Sequence, residues 1–264
     1  MYINKSTKRI LKFLQIHKVR FLIKYFNFII DFKIFKKKSL QHSNRFYISW
    51  KKRYPCLNDK TSQTYFDRHY TYHTGWAARI LAQNKPEKHI DISSSLYFVS
   101  IASAFIPITF YDYRPADLKL TNLSSDSADL LSLPFTNKSI KSISCMHVVE
   151  HVGLGRYGDP LDPEGDLKAM RELQRVLAPQ GSLVFVVPIG KPQIMFNAHR
   201  IYSPEQIVSY FSELTLKEFS LIPDNEQDGN IVKNPPQDLI KKQIYGCGCF
   251  LFTRNDTGQK LNKI

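Results

Sequence analysis

Ala128-Asp-Leu-Leu-Ser-Leu-Pro-Phe135, Ser142-Ile-Ser-Cys-Met-His-Val-Val-Glu-His151 and Ser182-Leu-Val-Phe-Val-Val-Pro188 decide how this chain folds. An acidic loop residue, Asp129, stands ahead of an apolar strand, Ile140 to Met146, which ends in a polar cluster of His147, Glu150 and His151. An amphipathic helix follows, Asp166 to Leu177, with Leu167, Met170, Leu173 and Val176 on one face. Pro179-Gln180-Gly181 is expected to end it, and a second all-apolar strand runs from Ser182 to Val187. Strand, helix and strand in this order predict the second half of a doubly wound α/β sheet. In such a sheet, ligands bind where the strands' carboxyl ends open.

Upstream, Thr64 to Ala82 is predicted helical, packing through Trp76, Ile80 and Leu81, and Pro86 stops it. A strand from Lys88 to Ile92 leads through Ser93-Ser94-Ser95 into an apolar helix, Leu96 to Phe105, with serine as N-cap. Further strands are predicted over Pro107 to Tyr111, ending at Asp112, and over Leu118 to Leu123. Downstream, Ser203-Pro204-Glu205 opens a helix, with serine as cap, proline in the first turn and an acid near the positive helix end. Leu214 to Ile222 and Ile244 to Thr253 read as a closing antiparallel pair. The fold class is therefore α/β: a doubly wound, mostly parallel, Rossmann-like sheet with a closing antiparallel pair.

Charge divides the chain. Residues 1–60 hold 16 Lys and Arg against Asp31 and Asp59, while the other 204 residues hold 21 basic and 21 acidic groups. The formal net charge of +14 thus belongs to the N-terminal arm. Ile10, Phe13, Leu14, His17, Phe21, Leu22, Tyr25, Phe26, Ile29 and Ile30 give that arm a helical apolar stripe, expected to break at Lys36-Lys37-Lys38-Ser39. Residues 1–60 are read as a basic amphipathic extension and 61–264 as the main domain. The apolar run Phe21 to Phe35 contains Lys24, Asp31 and Lys33, and falls short of the roughly 20 apolar residues that span a bilayer. No signal peptide is evident, so a cytoplasmic chain is expected, with residues 1–40 able to lie on the anionic inner face of a membrane. Cys56, Cys145, Cys247 and Cys249 form no disulfide framework, and the C-x-C pair lacks the second pair of a four-cysteine zinc site. No metal is expected.

The order of features from Asp129 onward resembles the later half of a class I S-adenosylmethionine-dependent methyltransferase. That resemblance implies S-adenosylmethionine as cofactor and places residues around it. Asp91, Ser93 and Ser94 occupy the first strand and its loop, where the family usually has glycines that let the backbone approach the cofactor. Asp112, with Tyr113 beside it, ends the second strand where an acid accepts hydrogen bonds from ribose hydroxyls. Asp129 resembles the residue that meets the adenine amino group, with Leu130 flanking the ring, and His147 lies on the cofactor side of the next strand end.

His147-Val-Val-Glu-His151 has the H-x-x-E-H spacing of a zinc protease, but Gly153, Gly155 and Gly158 would break the long helix that such a site requires. The segment resembles instead the strand-end Glu-His of small-molecule methyltransferases, which makes Glu150 and His151 the candidate catalytic residues. The glycine-rich loop that follows carries Arg156, Tyr157 and Asp159, and Asn197-Ala-His-Arg200 follows the fifth strand, so His199 and Arg200 join these three as candidate acceptor contacts. Tyr65-Phe-Asp-Arg-His-Tyr-Thr-Tyr-His-Thr-Gly-Trp-Ala-Ala-Arg-Ile-Leu81 precedes the first strand; its His69, Tyr70, His73 and Arg79 lie where methyltransferases often close over the cofactor. Together with the glycine-rich loop it resembles a methyltransferase-like family catalogued as a domain of unknown function, often accompanying bacterial surface-polysaccharide genes. The resemblance implies methyl transfer to a hydroxyl of a small molecule or glycan. Two other readings stand beside it. A catalytically inactive scaffold would explain the serine-substituted loop. An RNA methyltransferase would use the basic arm on phosphates, yet residues 61–264 carry no net positive charge and lack an N-P-P-[YF] motif near the fourth strand, so nucleic acid is not expected as a partner.

Overall fold

A computed structural model describes residues 5–42 and 45–255, with side chains described for residues 18–41 and 45–255. The chain divides into two compact units, Met1–Tyr65 and Phe66–Ile264.

In the first unit one continuous helix, α1 (Lys5–His42), runs through the lysine triplet where a break was expected. That segment has neither glycine nor proline, and lysine is a good helix former. Phe28 and Phe32 pack on Trp50, with ring centroids 6.0 and 5.0 Å away. Val19, Ile23, Phe26, Ile30 and Ile34, spaced three or four apart, remain exposed. The side chains of Ile10, Phe13, Leu14 and His17 lie outside the described residues.

The second unit opens with α2 (Arg68–Asn84). It starts four residues later than Thr64 because Asp67 caps it, accepting from the Tyr70 amide at 3.0 Å. It is followed by β1 (His89–Ile92), α3 (Leu96–Ala102), β2 (Ile108–Asp112), β3 (Leu123–Ser127) and β4 (Ile140–Met146). Next come α4 (Gly165–Val176), β5 (Leu177–Ile189), the hairpin of β6 (Gln193–Met195) with β7 (His199–Ile201), and α5 (Pro204–Tyr210). The chain closes with β8 (Thr215–Ile222), β9 (Val232–Lys233), α6 (Gln237–Lys241) and β10 (Gly246–Thr253). The strand expected over Leu118–Leu123 is displaced to β3, which pairs with β2 from Ile108 opposite Leu123 to Asp112 opposite Ser127. Only Leu123 of β3 is fully buried, so no apolar run announces it. Pro179-Gln180-Gly181 does not end α4. The helix stops at Val176, and those residues lie within β5, where the register against β4 shifts between Ile140 and Ser142.

The eight-stranded sheet has the order β3-β2-β1-β4-β5-β10-β8-β9. β3, β2, β1, β4 and β5 are parallel, whereas β10 is antiparallel to both its neighbours, β5 and β8. Alternation along β5 shows how the layers form. Leu183, Phe185, Val187 and Ile189 face one way, into a core shared with Met170 and Leu173 of α4 and Ile207 of α5. Val184 and Val186 face the other, into a core with Trp76 and Ile80 of α2, Phe98 of α3, Cys247 and Cys249. Helices thus cover both faces. The carboxyl ends of β1, β2 and β4 come together at one edge, which is where the candidate site residues lie.

Candidate active site

The β1 end is tied down by its own side chains. Buried Asp91 accepts from the Ser94 amide through Oδ1 at 3.0 Å, and its Oδ2 accepts from the Ser144 hydroxyl. Ser94 Oγ in turn accepts from the Met146 amide at 3.1 Å, linking the loop to the end of β4. Ser93 adopts the left-handed backbone region at φ 55, the conformation for which glycine is favoured, and its amide donates to the Tyr111 carbonyl at 2.7 Å. The serine loop therefore keeps the backbone shape of a glycine turn. Ser95 makes no side-chain cap bond to α3, which leaves the helix's leading amides open.

Asp112 ends β2 with Oδ1 accepting from the Arg114 amide at 2.7 Å. Tyr113 beside it is exposed. Asp129 Oδ1 accepts from the Leu131 amide at 2.8 Å, and Leu130 is buried against the first core. A cavity of about 730 Å³ lies between α2 and α3, lined among others by Asp67, Tyr70, Thr74, Ser95 and Tyr97.

At the end of β4 the chain turns sharply: His147 is also left-handed, at φ 57. This turn places His147 Nδ1 2.8 Å from Glu150 Oε1. Glu150 is 1% exposed, and its buried Oε2 has no hydrogen-bond partner among the described residues. Burial, opposed by His151, raises the Glu150 carboxyl to about 7. Burial lowers His147 to about 4 and His73 to about 3, and burial together with His147 lowers His69 to about 4. These imidazoles are neutral at pH 7. Burial holds the Cys247 thiol well above its ordinary value, with Cys249 adding to the shift. A protonated Cys247 Sγ therefore donates to His147 Nε2 at 3.4 Å, which leaves the His147 proton on Nδ1, donated to Glu150 Oε1.

Rings close around this pair. His69 and Tyr70 of α2 stack on His147 at 6.0 and 5.5 Å, His73 meets it edge-on at 5.0 Å, and Tyr245 stacks on His69 at 5.5 Å. His199, whose Nε2 is buried and unpartnered, lies 4.9 Å from Tyr245. His151 Nδ1 donates to the Ala198 carbonyl at 2.7 Å, and Arg156 Nη1 donates to the same oxygen at 3.0 Å. Tyr157 packs edge-on against His151 and lies under the Arg114 guanidinium at 4.9 Å, joining the β2 and β4 loops.

Two candidate residues serve the loop itself. Asp159 Oδ2 accepts from the amides of Gly153 and Gly155 at 2.6 and 3.4 Å. Arg200, 4% exposed, donates to the carbonyls of Val152, Asp162 and Pro163 and lies 3.5 Å from Asp166. Its guanidinium braces the glycine-rich loop from beneath. Arg79, also singled out in the sequence, donates within its own helix to the Gly75 carbonyl at 2.7 Å. Tyr245 and Cys247 went unrecognised as site residues. Cys247 read as a small buried thiol, and Tyr245 precedes β10 without any motif around it. Cysteine spacing and the helix-breaking glycines after His151 argue against a metal, yet His69, His147 and Cys247 from three distant segments converge with ligand atoms within 4.8 Å of one another.

A family model described as "Caenorhabditis protein of unknown function, DUF268" matches residues 129–222, which include Glu150, the glycine-rich loop and Arg200. No curated protein matches the sequence. Among solved structures, a chain of a complex described as "between the Haloferax volcanii Trm112 methyltransferase activator and the putative methyltransferase" is similar. It has 18% identity and a TM-score of 0.50, over 73% of this chain and 92% of that one. A Galdieria sulphuraria protein described as a sarcosine dimethylglycine methyltransferase has 15% identity and a TM-score of 0.50, over 70% of this chain and 85% of that one. The fold is that of S-adenosylmethionine-dependent methyltransferases of class I.

Proposed function

We propose that the chain is an S-adenosylmethionine-dependent methyltransferase acting on a hydroxyl of a small molecule or glycan in surface-polysaccharide assembly. The observation that carries this reading is Glu150, a carboxylate buried at the end of β4 with one oxygen held by His147 and the other free. When bound, the cofactor supplies a methyl group already activated on a sulfonium. The protein's task is then alignment and removal of one proton. Asp112 keeps one carboxylate oxygen for ribose hydroxyls, Asp129 and Leu130 flank the adenine, and Ser93, Ser94 and the leading amides of α3 take the cofactor carboxylate. Glu150 Oε2 accepts the acceptor's hydroxyl proton. His147 and His151 orient Glu150, while Arg156, Tyr157 and His199 contact the acceptor at the rim.

Calorimetry with S-adenosylmethionine on the full-length protein tests the reading. Asp112→Ala should weaken binding by about 10- to 150-fold, the value of one charge-assisted hydrogen bond. Equal affinity in the variant removes Asp112 from the site. No binding by the parent protein rejects the enzyme reading in favour of an inactive scaffold.

We further propose that α1 docks on an anionic membrane surface. Its exposed stripe of Val19, Ile23, Phe26, Ile30 and Ile34 is flanked by Lys18, Arg20, Lys24, Lys33 and Lys36. Among the described residues no helix is long and apolar enough to cross a membrane. Surface binding is the mode this composition supports.

A further inference from the structure

Three elements that are remote in sequence deliver three metal-binding side chains to one point: His69 from α2, His147 from the end of β4, and Cys247 from β10. Their ligand atoms lie within 4.8 Å of one another, and Cys247 Sγ is 3.4 Å from His147 Nε2. Nitrogen and sulfur ligands of one tetrahedral ion, at about 2.0 and 2.3 Å from it, stand roughly 3.5 Å apart. The cluster therefore needs only a small inward movement of His69 to meet that geometry.

What surrounds the three atoms points the same way. A metal-bound histidine commonly donates its other ring N–H to a carboxylate, which fixes the tautomer and aims the free nitrogen at the ion. His147 has that partner in Glu150 Oε1, on the far side of the ring from Cys247. Among the described residues His69 makes ring contacts and its ring nitrogens have no hydrogen-bond partner. One turn further along α2, His73 sets a buried Nε2 with no partner in the same ring cluster, edge-on to His147.

We propose that His69, His147 and Cys247 hold a divalent transition-metal ion of the zinc class, with Glu150 as the positioning residue behind His147. Two imidazoles and a thiolate select zinc, cobalt, nickel or copper over magnesium and calcium. Three protein ligands leave the fourth tetrahedral position to water. Binding converts the Cys247 thiol to thiolate, and one proton per ion leaves to solvent. The site does not depend on methyl transfer: metal binding is read without cofactor, and loss of cofactor binding leaves this proposal standing.

The test is titration of metal-free, full-length protein with cobalt(II) chloride. The expected result is saturation at one equivalent, with a sulfur-to-cobalt charge-transfer band in the near ultraviolet and ligand-field bands in the visible. Zinc chloride should displace the cobalt, and magnesium chloride should not. Cys247→Ser should abolish the charge-transfer band, Cys249→Ser should retain it, and His69→Ala should weaken binding at least tenfold. A charge-transfer band that survives Cys247→Ser, or no band in the parent protein, overturns the proposal. X-ray absorption of the zinc-loaded parent gives a readout free of folding defects in variants. One sulfur with two imidazoles in the first shell supports the site, and a shell of oxygen and nitrogen alone rejects it.

Discussion

Replacing Glu150 by Gln preserves the side chain's shape and an oxygen for the His147 Nδ1 proton, but removes the proton acceptor at Oε2. Turnover should fall by roughly 100- to 10,000-fold, the contribution of a positioned general base. S-adenosylmethionine affinity should change little, so kinetics and calorimetry on the same variant separate the two. A second residue-scale prediction concerns the sheet interior, where His89 bonds to the hydroxyls of Ser142 and Ser144 at 2.7 and 2.8 Å and Ser144 bonds to Asp91. Burial lowers His89 to about 3 and raises Asp91 to about 6. The two act in opposite senses. His89 contributes stability that is present above its unfolded pKa, about 6.5, and is lost as pH falls toward 3. Asp91 contributes stability present below its unfolded pKa, about 3.9, and lost as pH rises through 6. Between pH 4 and 6 they offset each other. Asp91→Asn removes one side of that balance, so the unfolding free energy from urea titrations should fall more steeply between pH 6 and 4, by about 1.4 kcal/mol per pH unit relative to the parent. Parallel profiles for the two proteins would refute this.

At the scale of elements, the loop between β4 and α4 is a built structure. Gly153 sits at φ 81, and a Cβ there would stand 2.1 Å from the Asp162 carbonyl. Gly153→Ala should therefore lower stability by roughly 1–3 kcal/mol and displace His151, Arg156 and Tyr157. Thermal unfolding checks the first effect and acceptor turnover the second. Much of this region was legible in the sequence. The apolar runs of β4 and β5 and the clean face of α4 place Glu150 and His151 at a strand end from the sequence alone. β3 was misplaced because Ser124, Ser125, Asp126 and Ser127 carry no apolar signal. The convergence of His69 and Cys247 on His147 was hidden for a different reason. It depends on β10 entering between β5 and β8, where Cys247 pairs with Pro188 far upstream, a pairing that no local pattern encodes. Arg200 shows the same limit: strand-end placement made it a candidate contact, whereas its carbonyl partners lie some 40 residues upstream.

At the scale of the whole molecule, the two units have separate electrostatic characters: residues 1–60 hold a net +14, and the remainder is neutral. Flotation with vesicles should show binding to anionic lipid and not to neutral lipid. It should weaken as salt rises, since each lysine or arginine near the surface contributes about 1 kcal/mol before screening. Deleting residues 1–40 should abolish it, and equal flotation of the two proteins would end the proposal. The strand order has a consequence for the order of synthesis. β10, which follows all its sheet partners in chain order, occupies an interior place between β5 and β8. Until it arrives, both neighbours present open edges of unsatisfied amides and carbonyls to any other chain nearby. The nascent protein cannot complete this sheet, nor bring Tyr245 and Cys247 to His69 and His147, until β10 has been made. The sheet made before Gly246 must wait, partly assembled, for the eight residues of β10.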